Sequence, residues 1–267
     1  VIHCKSSTDV AAMARAGALV ARALEAVIDE VRPGLTTHDL DRVAEDVIRG
    51  AGAVPSFKGY RGFPATLCTS VDDQIVHGIP SADVVLRAGQ LLSVDCGAVV
   101  DGFHGDSAVT VVVGGDDEAT PEVRQLVATT REAMWSGLRS VVAGTRLGDL
   151  GAAIEAHATP HGYGVVREYV GHGIGRSLHE DPSVPNYGRP GRGLRIADGW
   201  VLAVEPMFVL GPATTGKLAD GWTVVSPSGA LSAHWEHTVA VTPDGPRVLT
   251  ARADDAPWLA DAGFVAA

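Results

Sequence analysis

The chain has 267 residues, 46% of them hydrophobic and 20% charged, which excludes a disordered or collagen-like polypeptide and allows one large domain or two small ones. Its 21 Lys and Arg against 32 Asp and Glu leave a charge of −11, arguing against nucleic acid or an anionic membrane as main partner, although Arg189, Arg192 and Arg195 form a small basic cluster. Cys4, Cys68 and Cys96 are too few for a disulfide framework, so a cytoplasmic location is expected, and no apolar run approaches the roughly 18 residues that span a bilayer.

Val10, Met13, Gly17, Val20, Ala21, Leu24, Val27 and Val31 follow helical spacing, with Ser7 or Thr8 as cap and Pro33-Gly34 as the stop. A shorter helix, capped by Thr37, carries Leu40, Val43, Ala44, Val47 and Ile48 on one face and stops near Gly50. Strands over 91–100 and 103–113 flank Asp101-Gly102, a strong two-residue hairpin signal. Thr120-Pro121 then opens a third helix that runs to about Val142 and closes at Gly144. In the short helix after it, Asp149, Leu150 and Glu155 stand where Asp39, Leu40 and Glu45 stood before. Gly34 matches Gly144 and Gly52 matches Gly162 at the same offset of 110 residues.

Such agreement predicts two related α+β halves, about 8–110 and 118–250, within a single domain over 1–252, and the repeat is too long for a solenoid unit. Residues 201–210 and 231–242 read as two later strands, with a Gly-, Pro- and Ser-rich stretch containing Gly221-Trp222 between them. The C-terminal tail, 253–267, carries Trp258, Leu259 and Phe264 and is expected to dock as a short helix or fray.

Chemistry enters with the acids. If Asp101 and Gly102 form the turn, Gly97 pairs with Asp106 and Asp95 with Ala108, so Asp95 and Asp106 become diagonal neighbours on one face. Paired acids on a sheet are usually solvated, but Asp95 follows Leu91-Leu92-Ser93-Val94, a run that reads as buried, and a buried carboxylate must be paired or bind a metal. Glu205, between Val201-Leu202-Ala203-Val204 and Pro206, repeats that anomaly, and Pro206 points to an edge or bulge. Glu236, in His234-Trp235-Glu236-His237, is more ambiguous.

Among the histidines, His172 stands between glycines in Gly171-His172-Gly173-Ile174-Gly175, while His77 and His179 lie in short loop motifs. His157 and His161 have ligand spacing, but Pro160 breaks the helix between them; His3 and His38 read as solvated, and His104, His234 and His237 as neighbours of candidate ligands. Four carboxylates and one imidazole suit Mn, Fe, Co or Zn, and four negative charges balance two divalent ions, a centre that activates water for hydrolysis.

Val94-Asp95, Gly102-Phe103-His104-Gly105-Asp106, Gly171-His172-Gly173-Ile174-Gly175, Val204-Glu205-Pro206-Met207 and Trp235-Glu236-His237-Thr238 together resemble the type I methionine aminopeptidases over roughly residues 7–250. The resemblance implies the α+β pita-bread fold, two pseudo-symmetric halves with helices packed on a curved antiparallel sheet. It implies two divalent metal ions held by Asp95, Asp106, His172, Glu205 and Glu236, with His77, His179 and Glu205 catalytic. Tyr60, Phe63, Cys68 and Trp222 match the methionine pocket, whereas Phe57 and Leu178 depart from the residues many relatives carry. The implied partners are the N-termini of nascent peptides with a small second residue, met at the ribosome by a monomer, with no sequence-specific nucleic acid and no membrane. Alternatives on the same fold are an X-Pro aminopeptidase or dipeptidase, whose members usually carry an additional N-terminal domain, and a non-catalytic binding protein. The short step from His172 to Glu205 leaves no room for the helical insert of type II methionine enzymes.

Overall fold

Ser6, one residue ahead of the expected caps, starts the first helix. Its hydroxyl accepts from the Asp9 N–H at 3.2 Å while the Asp9 carboxylate accepts from the Ser6 N–H at 3.0 Å. Helix α1 (Ser7–Glu30) then buries a stripe from Val10 to Val27. Thr36, rather than Thr37, caps α2 (Thr37–Gly50) by the same reciprocal pairing with Asp39. In each case the acid three residues on decides which hydroxyl is the cap. The third helix, α3 (Pro121–Arg139), begins at Thr120 as expected but ends short of 142, because the Thr145 hydroxyl takes up the carbonyls of Ser140 and Val142 at 2.7 Å each. The structure is a computed structural model that describes residues 1–266; Ala267, the end of the expected tail, lies outside them.

The α1–α2 link recurs between α3 and α4 (Leu147–Ala158), bond for bond. Gly34 donates to the Leu86 carbonyl and Gly144 to that of Ile196, each at 2.9 Å. Leu86 returns to Leu35 and Ile196 to Thr145, each at 2.8 Å, and the bridges Thr36–Val85 and Arg146–Arg195 close both links. Both glycines stand at positive φ, 93° and 95°, where a side chain would be strained.

Strands Leu91–Val100 and Phe103–Val112 form a hairpin, with Val100 opposite Phe103, Gly97 opposite Asp106 and Asp95 opposite Ala108. Asp101 and Gly102 both adopt positive φ, the conformation that matches the twist of the two strands. Val54–Pro55 and Leu67–Val71 complete that sheet. A six-stranded sheet in the other half runs in the order 265–266, 245–248, 237–242, 201–204, 171–173, 180–184, and only its first pair is parallel. The two sheets meet where Ala108 and Glu236 exchange backbone hydrogen bonds of 3.0 and 3.4 Å. This is the α+β pita-bread architecture.

Two expected strands do not run through. Residues 201–210 split at Glu205-Pro206 into Val201–Val204 and Met207–Val209, and 231–242 split at Trp235-Glu236 into Ser232–His234 and His237–Thr242. Pro206 has no N–H for the ladder. The pieces stay paired across the gap, Val204 with His237 and Met207 with His234, so both segments leave one sheet together and enter another. Each break frees a glutamate from the pleat.

The tail docks. After a turn at Ala253–Asp255, α5 (Ala256–Ala262) lies on α3, with Trp258 stacked on Trp135 at 6.0 Å and Arg139 paired with Asp261. Among the described residues no helix is long and apolar enough to cross a membrane.

Helix α1 touches the chain it covers without intervening side chains. A Cβ on Gly17 would lie 2.1 Å from the Leu249 carbonyl oxygen, and one on Gly105 would lie 2.8 Å from the Gly17 nitrogen. Gly17→Ala therefore forces apart backbone that is fixed on both sides and is expected to destabilise by about 1–3 kcal/mol. The check is a urea midpoint that falls with an unchanged slope.

Candidate metal centre

Asp95 and Asp106 come from the hairpin, His172 from the short strand Gly171–Gly173, and Glu205 and Glu236 from the two strand breaks. One donor atom each from Asp106, His172 and Glu236 fall within 4.8 Å of one another. His172 Nε2 lies 3.9 Å from Asp106 Oδ2 and 3.5 Å from Glu205 Oε1. The glycines around His172 serve close approach rather than unusual dihedrals: a Cβ on Gly171 would lie 2.3 Å from the Ala203 carbonyl oxygen and one on Gly173 2.1 Å from that of Asp181. His157 and His161 stay outside this group.

Burial makes the cluster electrostatically unstable alone. It pushes Asp95 up to about 7, an effect that contact with Asp106 partly offsets. Burial, with repulsion among the acids, drives Asp106, Glu205 and Glu236 well above the ordinary carboxylate range. His172 moves the other way, to about 3, through burial and the neighbouring His179. Its Nδ1 lies 2.9 Å from the Gly173 carbonyl, which can only accept, so Nδ1 carries the hydrogen and Nε2 turns a lone pair toward the acids. With a neutral imidazole, those approaches are not ion pairs.

Do these residues fit a metal? Asp95 Oδ1, Asp106 Oδ1 and Glu236 Oε1 are buried with no hydrogen-bond partner, and among the described residues no Lys or Arg pairs with any of the four acids. Oxygen and imidazole donors that converge with no Lys or Arg pairing them among the described residues, and that can shed their protons on binding, are what hard or borderline divalent ions bind. They fit.

The donors line one wall of a cavity of about 160 Å³, and Tyr60, Phe63, Cys68, Trp222, Phe57 and Leu178 line much of the rest. Cys68 stands opposite Asp95 in the sheet, and burial beside Asp95 and Asp106 raises its thiol well above its usual range, so it is a neutral, soft surface. Phe63 and Trp222 meet edge to face at 5.1 Å. An open groove of about 670 Å³ beside Tyr187 and Leu194 is larger but has no converging donors.

His77 and His179 both line the cavity. His77 sits at φ 62°, edge-on to Tyr169 at 5.5 Å and to Trp222 at 6.4 Å, and burial lowers it to about 4. His179 stacks on Tyr60, whose hydroxyl is 3.0 Å from Nδ1, and its ring centroid is 4.2 Å from that of His172. Two neighbours escaped sequence reasoning. Arg61, at the cavity wall beside Tyr60, carries no periodic or motif signal. His234, read only as a neighbour of ligands, places Nε2 3.8 Å from Glu205 Oε2, a contact that only the pairing of the strand fragments creates.

Residues 11–243 match metallopeptidase family M24. The chain is 47% identical to the methionine aminopeptidase of Clostridium acetobutylicum over 250 residues, covering 94% of this chain and 99% of that one. It is 49% identical to methionine aminopeptidase 1 of Mycobacterium tuberculosis over 256 residues, covering 94% and 95%. The crystal structure of methionine aminopeptidase from Thermotoga maritima superposes with a TM-score of 0.91 at 39% identity, covering 94% of this chain and 99% of that one.

The raised carboxyls predict how the metal-free protein responds to pH. An acid that holds its proton more tightly when folded stabilises below its ordinary pKa, and that stability is lost as pH rises through the folded value. The buried histidines oppose this below about pH 6.5, their ordinary value, and are neutral in both states above it. From about pH 6.5 to 8 the metal-free protein should therefore lose thermal stability, and saturating Mn²⁺ should abolish or reverse the slope, since its binding needs deprotonated acids. Unfolding temperatures with and without Mn²⁺ across that range test this.

Proposed function

The chain belongs to metallopeptidase family M24, and from that premise we propose that it is a type I methionine aminopeptidase, a hydrolase that removes methionine from the N-terminus of peptides. The observation that carries the reading is the convergence of Asp95, Asp106, His172, Glu205 and Glu236 on a cavity whose remaining wall is aromatic and thiol. These five residues would hold two divalent ions drawn from Mn, Fe, Co or Zn. Such ions supply Lewis acidity at a carbonyl and lower the pKa of a water.

The protein's own groups do the rest. The acid-lined end of the cavity receives the substrate's free α-amine, which confines cleavage to the first residue. Phe63, Trp222, Tyr60 and Cys68 receive the methionine side chain, since a thioether packs favourably against aromatic edges. Glu205 takes a proton from the attacking water and relays it to the leaving amine. Tyr60 donates its hydroxyl hydrogen to His179 Nδ1, so that Nε2–H points at the developing oxyanion. His77 holds the scissile amide. The physiological substrates in this reading are nascent peptides with a small second residue, met at the ribosome in the cytoplasm by a monomeric enzyme.

Chelated protein should be inactive on Met-Ala-Ser and regain turnover on titration with at least one of Mn²⁺, Fe²⁺, Co²⁺ or Zn²⁺, while leaving Gly-Pro uncut. Cleavage of Gly-Pro in preference to Met-Ala-Ser would turn the assignment to an X-Pro enzyme. No turnover of either peptide would favour a binding protein. His77→Ala and His179→Ala should lower turnover by about 100-fold or more with metal content intact. Asp106→Ala should lose metal, and equal loss in all three variants would defeat these roles. Tyr60→Phe should reduce turnover less than His179→Ala and leave the binding of metal unchanged.

A further inference from the structure

Among residues that do not line the cavity lies a second buried cluster of charges that the reaction does not use. Asp255 is fully buried. Its carboxylate accepts from the Arg252 N–H at 2.9 Å and lies 2.8 Å from an Arg131 nitrogen, 3.4 Å from an Arg252 nitrogen and 3.2 Å from His237 Nε2. The Arg131 and Arg252 guanidiniums also face the Trp235 ring, at 4.8 and 5.7 Å. Trp235 and His237 flank Glu236 in the chain.

We propose that Arg252 and Asp255 are positioning residues for the metal centre, through which the C-terminal segment holds the backbone of Asp106 and Glu236 in place. The inference rests on reading those two acids as ligands. Arg252 Nη1 donates to the Ser107 hydroxyl at 3.2 Å, and that hydroxyl donates to the Glu236 carbonyl at 2.6 Å. Thr250 bonds His237 Nδ1 at 2.9 Å and accepts from the Thr238 N–H at 3.0 Å. Thr238 in turn donates its hydroxyl to the Asp106 carbonyl at 2.7 Å and accepts the Asp106 N–H at 3.1 Å. The Arg252–Ser107, Asp255–His237 and Thr250–His237 contacts each run from the 250–255 segment to a residue next to a candidate ligand.

The need for such a brace follows from the strand break. Glu236 stands outside both strand fragments and is tied to the hairpin through the paired backbone bonds of a single residue, Ala108, while the other three acids repel it. Tail docking alone does not require buried ions, because Trp258 on Trp135 and the exposed Arg139–Asp261 pair already anchor α5 to α3. Desolvating ions is costly, and a well-packed apolar plug of similar size is often as stable or more so. The charges sit where they reach the ligand-bearing backbone.

The test measures Mn²⁺ affinity by calorimetry on the full, metal-free chain. Asp255→Asn should keep cooperative unfolding and weaken Mn²⁺ binding by about 10- to 100-fold, the range expected when a partner behind a ligand is lost. Asp261→Ala, which removes only the outer anchor, should lower the unfolding temperature and leave Mn²⁺ affinity unchanged. Should Asp255→Asn fail to fold, Ser107→Ala removes only the Arg252–Ser107–Glu236 link and should still weaken binding. Folded Asp255→Asn or Ser107→Ala that binds Mn²⁺ as tightly as the unsubstituted chain overturns the proposal, as does equal weakening by Asp261→Ala. An unsubstituted chain that binds no Mn²⁺ overturns the ligand assignment itself, and the brace with it.

Discussion

Four carboxylates and one imidazole lone pair face each other in a buried pocket, and among the described residues no Lys or Arg separates them. The arrangement cannot be stable in its charged form without a positive counterpart, and protons are the alternative when metal is absent. Much of the fold can be understood as the means of forcing these groups together. Asp95 and Asp106 are set on one face by the register of a long hairpin, His172 by a strand whose glycines admit its neighbours' carbonyls. Such acids contribute little to stability by themselves. The large apolar cores under the helices, with Trp135 and Phe208 wholly buried, have to offset their cost.

Internal duplication supplies the frame, and departures from regularity supply the site. The two helix pairs are tied by the same hydrogen bonds at Gly34 and Gly144, yet the acids that give the cluster its other two carboxylates sit where strands stop. Glu205 and Glu236 occupy facing breaks, and at such points a side chain is no longer obliged to alternate with the pleat. His77 follows a similar rule, at a positive φ after the strand Gln74–Val76. These candidate groups are thereby held on rigid elements but released from their periodicity. In the proposed brace, the buried ions of the C-terminal segment reach the Glu236 carbonyl through Ser107, adding to the bonds that Ala108 already makes.

Several features are legible in the sequence alone. The Asp101-Gly102 turn set the hairpin register, because a two-residue turn with both φ positive admits only one pairing, and this placed Asp95 and Asp106 on one face. Asp9 and Asp39, three residues beyond Ser6 and Thr36, marked the true caps, although the hydroxyls next to them drew the expectation one residue late. Pro206 signalled an edge or bulge, although residues 201–210 were still expected as one strand and the structure divides them there. The approach of His234 to Glu205 and the position of Arg61 had no such marker, since neither follows from spacing along the chain.

By itself the sequence determined most of the elements, the repeat and the hairpin register, because these follow from local conformational preference and near-neighbour periodicity, whereas the candidate donors were singled out by acids in apolar runs and by the family resemblance. Only the tertiary structure decided that two strands break, that their fragments re-pair across the gap, and that the tail docks on α3 with Arg252 bonded to Ser107. Those outcomes depend on contacts between residues more than a hundred positions apart, such as Ala108 with Glu236 and Ser107 with Arg252, and no local preference encodes which distant partner a freed backbone group will find.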